Sequence, residues 1–167
     1  MRLLLILIAA VLTAGSTACA ATAEPRVLLY TRNGLTLDGK KGYVHDNIPA
    51  SIVMVRQLGD ANGFAVDVSD DPAAFTAANL QRYRVLVFTN TNNQIFDTEE
   101  QKAALQSFIR GGGGFAGIHS ACGSMRAWPW FWAMAGGSFV RHPKLQEFSM
   151  QVVDRKHPST AHLGEKW

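Results

Sequence analysis

The chain has 167 residues, close to half of them apolar and only 17% charged, which suits one soluble α/β or α+β domain and excludes a disordered or collagen-like chain. With 16 basic against 13 acidic residues the net charge is only +3, and no basic stripe interleaves with aromatics, so a nucleic-acid role is not expected. The two cysteines, Cys19 and Cys122, are too few for a disulfide framework.

Residues 1–23 read as a signal peptide. Arg2 supplies the positive end, Leu3 to Leu12 the apolar run, and Ala18-Cys19-Ala20 and Ala21-Thr22-Ala23 two small-x-small cleavage sites. The run is too short for a stable membrane span, which needs ~20 residues. Secretion or a periplasmic location is the expectation. Lipidation at Cys19 is the rival, disfavoured because Ser16 stands where a lipobox carries a Leu-like residue.

Residues 24–167 form the expected domain. Val27 to Tyr30 reads as a strand buried on both faces, followed by a long loop from Thr31 to Asp46. Asn47 and Pro49 open a helix whose apolar positions are Ile48, Ile52, Val55 and Leu58, and Gly63 stops it. Phe64 to Val68 is a second strand. Pro72 to Tyr83 reads as a short helical passage capped by Asp71. Val85 to Phe88 is a third strand, ending in the polar cluster Thr89 to Asn93. Thr98 and Gln101 make a capping box for a helix that buries Leu105, Phe108 and Ile109. Four glycines, Gly111 to Gly114, then lead into a strand from Phe115 to Ile118. Since the order is helix, glycines, strand, they suit a helix C-cap and not a phosphate loop, which follows a strand and precedes a helix. Trp128 to Trp132 begins another helix or turn, and the alternation over Phe148 to Val153 suggests a half-exposed strand near an edge.

Fully apolar strands alternating with helices indicate a parallel sheet covered on both sides. In such sheets ligands bind beyond the carboxyl ends of the strands. The long loop, the asparagine cluster and His119 all fall at those ends. His119 closes the turn Gly117-Ile118-His119-Ser120-Ala121, where a strand terminus exposes one side chain, and imidazole serves as acid, base or metal ligand. His45 and Asp46 lie at the far end of the long loop. Together with His119 they could form an acid–base group or bind a divalent metal. Asn90 and Asn92 are candidates for orienting substrate hydroxyls, and His142 for the rim. Trp130, within the aromatic run, is a candidate stacking platform, with core packing its ordinary alternative. Ser120 and Cys122 are alternative nucleophiles, but a reactive thiol needs a neighbour that lowers its pKa. His157 and His162 read as surface or turn residues.

Several short patterns carry a family resemblance: His45-Asp46-Asn47-Ile48-Pro49, Asn79-Leu80 with Tyr83, and Gly112 through His119. To these are added Trp128-Pro129-Trp130, Gly136, Phe139, His142-Pro143, and Asp154 with His157-Pro158. Together they resemble the ThuA-like (trehalose utilisation) family of the class I glutamine amidotransferase-like superfamily, from about Arg26 to Trp167. The resemblance implies a flavodoxin-like, doubly wound, mostly parallel sheet and a small-molecule carbohydrate ligand, related to disaccharides or keto-sugars. In the related amidotransferases the Gly-Ile-x turn carries the nucleophilic cysteine. Here His119 takes that place, so glutaminase chemistry by that route is not expected, and a thiol hydrolase or amidotransferase would have to use Cys122. A non-catalytic sugar-binding module is the other alternative. Relatives continue past the region of Leu163 to Trp167 with further strands and a closing helix. By that comparison the domain is incomplete at its C-terminus, which would leave apolar surface for a homo-oligomer or another partner to cover.

Overall fold

The structure, a computed structural model, describes residues 24–166. The signal-peptide reading therefore lies outside the described residues, among which no helix is long and apolar enough to cross a membrane. Ten elements follow one another. They are β1 (Arg26–Tyr30), α1 (Ile48–Asn62), β2 (Ala65–Ser69), a 3-10 turn (Pro72–Ala74), α2 (Ala77–Leu80), β3 (Val85–Thr89), α3 (Glu99–Arg110), β4 (Gly114–Ile118), a second 3-10 turn (His119–Gly123) and α4 (Pro129–Ala135).

All the strand pairs are parallel, in the order β2-β1-β3-β4. β1 and β3 hold the centre, which is why their sequences are the most continuously apolar. Side chains alternate between faces along a strand. Leu28, Tyr30, Leu86 and Phe88 accordingly join Leu80, Leu105 and Phe131 in one core cluster, roofed by α2, α3 and α4. Val27 and Leu29, out of phase with them, are buried away from that cluster, on the side where α1 packs against β2. The chain leaves β1 toward one edge and β3 toward the other. Because parallel crossovers are right-handed, the two directions put helices on opposite faces. This is the doubly wound, flavodoxin-like α/β arrangement, and the reversal between β1 and β3 is its topological switch point.

Local signals act as expected in most places. Thr98 Oγ1 accepts from Gln101 N–H while the Gln101 side chain accepts from Thr98 N–H, closing the capping box of α3. Gly63 caps α1 with a left-handed φ of 70°. Gly111 caps α3 and Gly114 begins β4, so the glycine run is a helix-to-strand connection. Asn47 does stand at the start of α1, but its side chain makes no capping hydrogen bond.

Three local expectations change. The passage from Pro72 to Tyr83 is not one helix: Phe75 turns into the core at 1% exposure, and Thr76 caps a fresh helical turn by accepting from Asn79 N–H. Leu58 is half exposed, so α1 buries its stripe mainly through Val55. Residues 148–153 form no strand. Their alternation marks two faces but supplies no ladder partner, and they make only a single antiparallel bridge, Gln151 with Lys166, leaving Phe148 and Val153 exposed.

Candidate functional site

The carboxyl ends of β1, β3 and β4 converge on a cleft of about 830 Å³. Its chemistry comes from His45, His119, His142, Arg126, Arg141 and Cys122, and Tyr43, Phe139 and Pro143 contribute the apolar wall.

The long loop after β1 is seated on the loop after β3 by close backbone contact. Gly34 N–H donates to Asn92 O at 3.0 Å, and Gln94 N–H donates to Leu35 O at 2.9 Å. A Cβ at Gly34 would stand 1.5 Å from the Gln94 carbonyl oxygen, and one at Gly42 would stand 1.9 Å from Asn93 Nδ2. Only glycine permits this approach. The loop thus delivers His45 across the switch point, where its ring meets that of His119 edge to face with centroids 4.5 Å apart. Tyr43 supports His45 from the other side at 4.9 Å.

His119 has a left-handed backbone, φ 55°, at the turn that ends β4. Such a conformation is uncommon without glycine and costs on the order of 1–3 kcal/mol, strain that collects at functional sites. It leaves the ring exposed at the sheet's lip. Asn90, also left-handed at φ 52° and fully buried, sets the ring's orientation. The Asn90 amide NH₂ donates to Ser51 Oγ at 3.0 Å and to Thr89 Oγ1 at 3.2 Å. Its Oδ1 is thereby the acceptor that lies 3.0 Å from His119 Nδ1. In this arrangement Nδ1 carries the hydrogen and Nε2 keeps its lone pair for chemistry. The His45 imidazole is held below its ordinary pKa of 6.5, first by burial and then by the charges available to His119 and His142, with Asp46 pulling the other way.

The sequence candidates separate accordingly. His45, His119 and His142 share the cleft, and Asn92 lines it. Asn92 is already engaged, however, since its Oδ1 accepts from Arg126 Nη2 at 3.2 Å and from Asn93 N–H at 3.0 Å. Asn90 is not a substrate ligand; buried behind His119, it positions the imidazole. Trp130 is outside the cleft and belongs to the aromatic packing on the core, 5.1 Å from Trp128. Asp46 is exposed and acts on His45 through its charge without lining the cleft. Among the described residues no three His, Cys, Asp or Glu side chains gather closely enough to hold an ion, and the contact between candidate ligands is that of the His45 and His119 rings. His157, engaged with Ser159 at 2.7 Å, and His162 are surface residues.

Cys122 lines the cleft, but its thiol faces the His119 carbonyl oxygen at 3.6 Å. Its partner is thus a backbone carbonyl and not an imidazole. Ser120 donates to Thr91 O at 3.1 Å. Phe139 enters the sequence reading only through the family pattern, and Arg126 carries no local signal; the guanidinium of Arg126, 5.4 Å from the Phe139 ring centroid, brings the two together.

A family model described as ThuA, trehalose utilisation, matches residues 33–167, which includes every cleft residue named above. The chain belongs to the ThuA family. The fold is also found in a crystal structure, at 2.30 Å resolution, of a protein described as ThuA-like from Bacteroides uniformis ATCC 8492, with a TM-score of 0.65 at 21% identity. That match covers 87% of this chain and 59% of the neighbour, so the ThuA chain described here spans well under two thirds of its neighbour's length. No curated protein sequence matches the chain.

Proposed function

We propose that the cleft is an acid–base site acting on a disaccharide or keto-sugar, with His119 Nε2 as the group that takes and returns the proton. The observation that carries this reading is the hydrogen bond from His119 to buried Asn90, which fixes the tautomer of an exposed imidazole at a strand terminus. His45, in ring contact and held below its ordinary pKa, is suited to stay neutral and receive a proton near neutral pH. Tyr43 and Phe139 offer apolar faces against which a sugar ring could pack. Export is part of the proposal and rests on the signal-like pattern of residues 1–23.

The test uses an oxidised sugar in D₂O, with exchange of the hydrogen beside its carbonyl followed by NMR. The wild type should catalyse exchange, and His119→Ala should slow it by about 100-fold or more. Thermal melts should show stabilisation by the same sugar, about 2.7 kcal/mol at a hundredfold excess over its dissociation constant. Undiminished exchange in His119→Ala would overturn the assignment. A sugar-dependent melt without any exchange would leave a binding module in place of an enzyme.

A further inference from the structure

We infer that the sugar this cleft takes carries an anionic group, a carboxylate or a phosphate, which docks between Arg126 and Arg141. The inference rests on the carbohydrate reading above and narrows it. The cleft's lining holds two arginines and three histidines but no aspartate or glutamate. Of the acidic side chains on its entrance loops, Asp97 pairs with Arg32 and Asp38 with Lys40, each at 2.6 Å, and Asp46 is exposed outside the lining, next to His45. Among the described residues neither Arg126 nor Arg141 is in an ion pair.

Arg126 is also held in place. Its Nε donates to the Gly123 carbonyl at 3.0 Å, one Nη donates to Asn92 Oδ1, and its plane rests near the Phe139 ring. All of these partners are neutral, so the guanidinium is oriented without being neutralised, and a planar fork so arranged suits an oxyanion. A neutral sugar presents hydroxyls that donate as readily as they accept, and it leaves both guanidinium charges unanswered. An oxyanion answers to an excess of donors and of positive charge.

Calorimetric titration of the full chain with glucuronate, gluconate and glucose 6-phosphate, against glucose and trehalose, tests the inference. An acidic sugar should bind at least tenfold more tightly than its neutral counterpart, and its affinity alone should fall as salt is raised. Comparing the carboxylates with the phosphate identifies which oxyanion is preferred. Arg141→Gln, at an exposed side chain, should weaken acidic ligands roughly tenfold more than neutral ones. Arg126→Gln should do the same, with an unliganded melt as its folding control. If neutral sugars bind as tightly as acidic ones, or both arginine variants keep the preference, the anionic inference fails while the carbohydrate site stands. If neither class binds, the carbohydrate reading fails with it.

Discussion

The two ends of the one sheet are built to different specifications. At the amino ends of the strands the connections are short: Gly63 and Phe64 turn α1 into β2, and Gly111–Gly113 join α3 to β4. The depression there is only about 320 Å³ and is lined by residues such as Leu80, Tyr83, Ala104 and Phe108, with no histidine. At the carboxyl ends the connections after β1 and β3 are long, the backbone is strained at Asn90, Asn93 and His119, and His45, His119 and His142 gather on the larger cleft. Helix-to-strand turns here serve packing, and strand-to-helix loops hold the chemistry. The parallel arrangement makes this division natural, because all strands release their chains at the same edge.

Glycine substitutions should break that contrast most clearly. Gly34→Ala would drive a methyl group into the Gln94 carbonyl and displace the loop that carries His45, so ligand stabilisation in a thermal melt should vanish. Gly113→Ala, whose added carbon would sit 2.2 Å from the Phe108 ring, should cost about 1–3 kcal/mol of stability in denaturant unfolding, with sugar affinity retained. Retained binding in the first variant, or lost binding in the second, would erase the distinction between the two ends.

A smaller effect should sharpen the roles of Asn90 and His119. Removing the amide in Asn90→Ala frees Nδ1 and lets either tautomer form. Exchange should fall about 10- to 100-fold, less than for His119→Ala, and the pH profile should shift, a change that mere loosening of the fold would not produce. An unmoved profile would make Asn90 purely structural.

The smallest effect is electrostatic. NMR titration should place the His45 midpoint below 6.5, and His119→Gln should move it upward, though not fully, since burial remains the larger cause. Because the folded pKa is lowered, the unfolded chain binds the proton more readily. The associated stability is present above about pH 6.5 and is lost as pH falls toward the folded pKa. His45→Asn should flatten that acid-side loss. A midpoint above 6.5 would reverse the sign.

Much of this was legible in residue order. The runs at Val27–Tyr30, Val85–Phe88 and Phe115–Ile118, the capping box at Thr98 and the stop at Gly63 depend on neighbours within a few positions, and the structure keeps them. His119 could be picked out because a strand end announces itself locally, and His45 because it closes a long loop. Asn90 was assigned to the substrate and proved to stand behind the imidazole, since nothing in a polar cluster tells which member faces inward. Trp130 was a candidate platform and is packing, for the same reason. Arg126 escaped notice because a scattered arginine carries no periodicity.

Local order along the chain therefore determined most element types, a parallel sheet with helices on both sides and the edge at which a ligand could bind, because periodicity and capping act over one or two turns. Tertiary structure alone decided that the His45 and His119 rings touch and that Asn90 holds one of them. It also decided that two uncompensated arginines share their cleft. Those contacts join residues separated by tens of positions, and their geometry follows from how the β1 and β3 loops press together at Gly34 and Gly42.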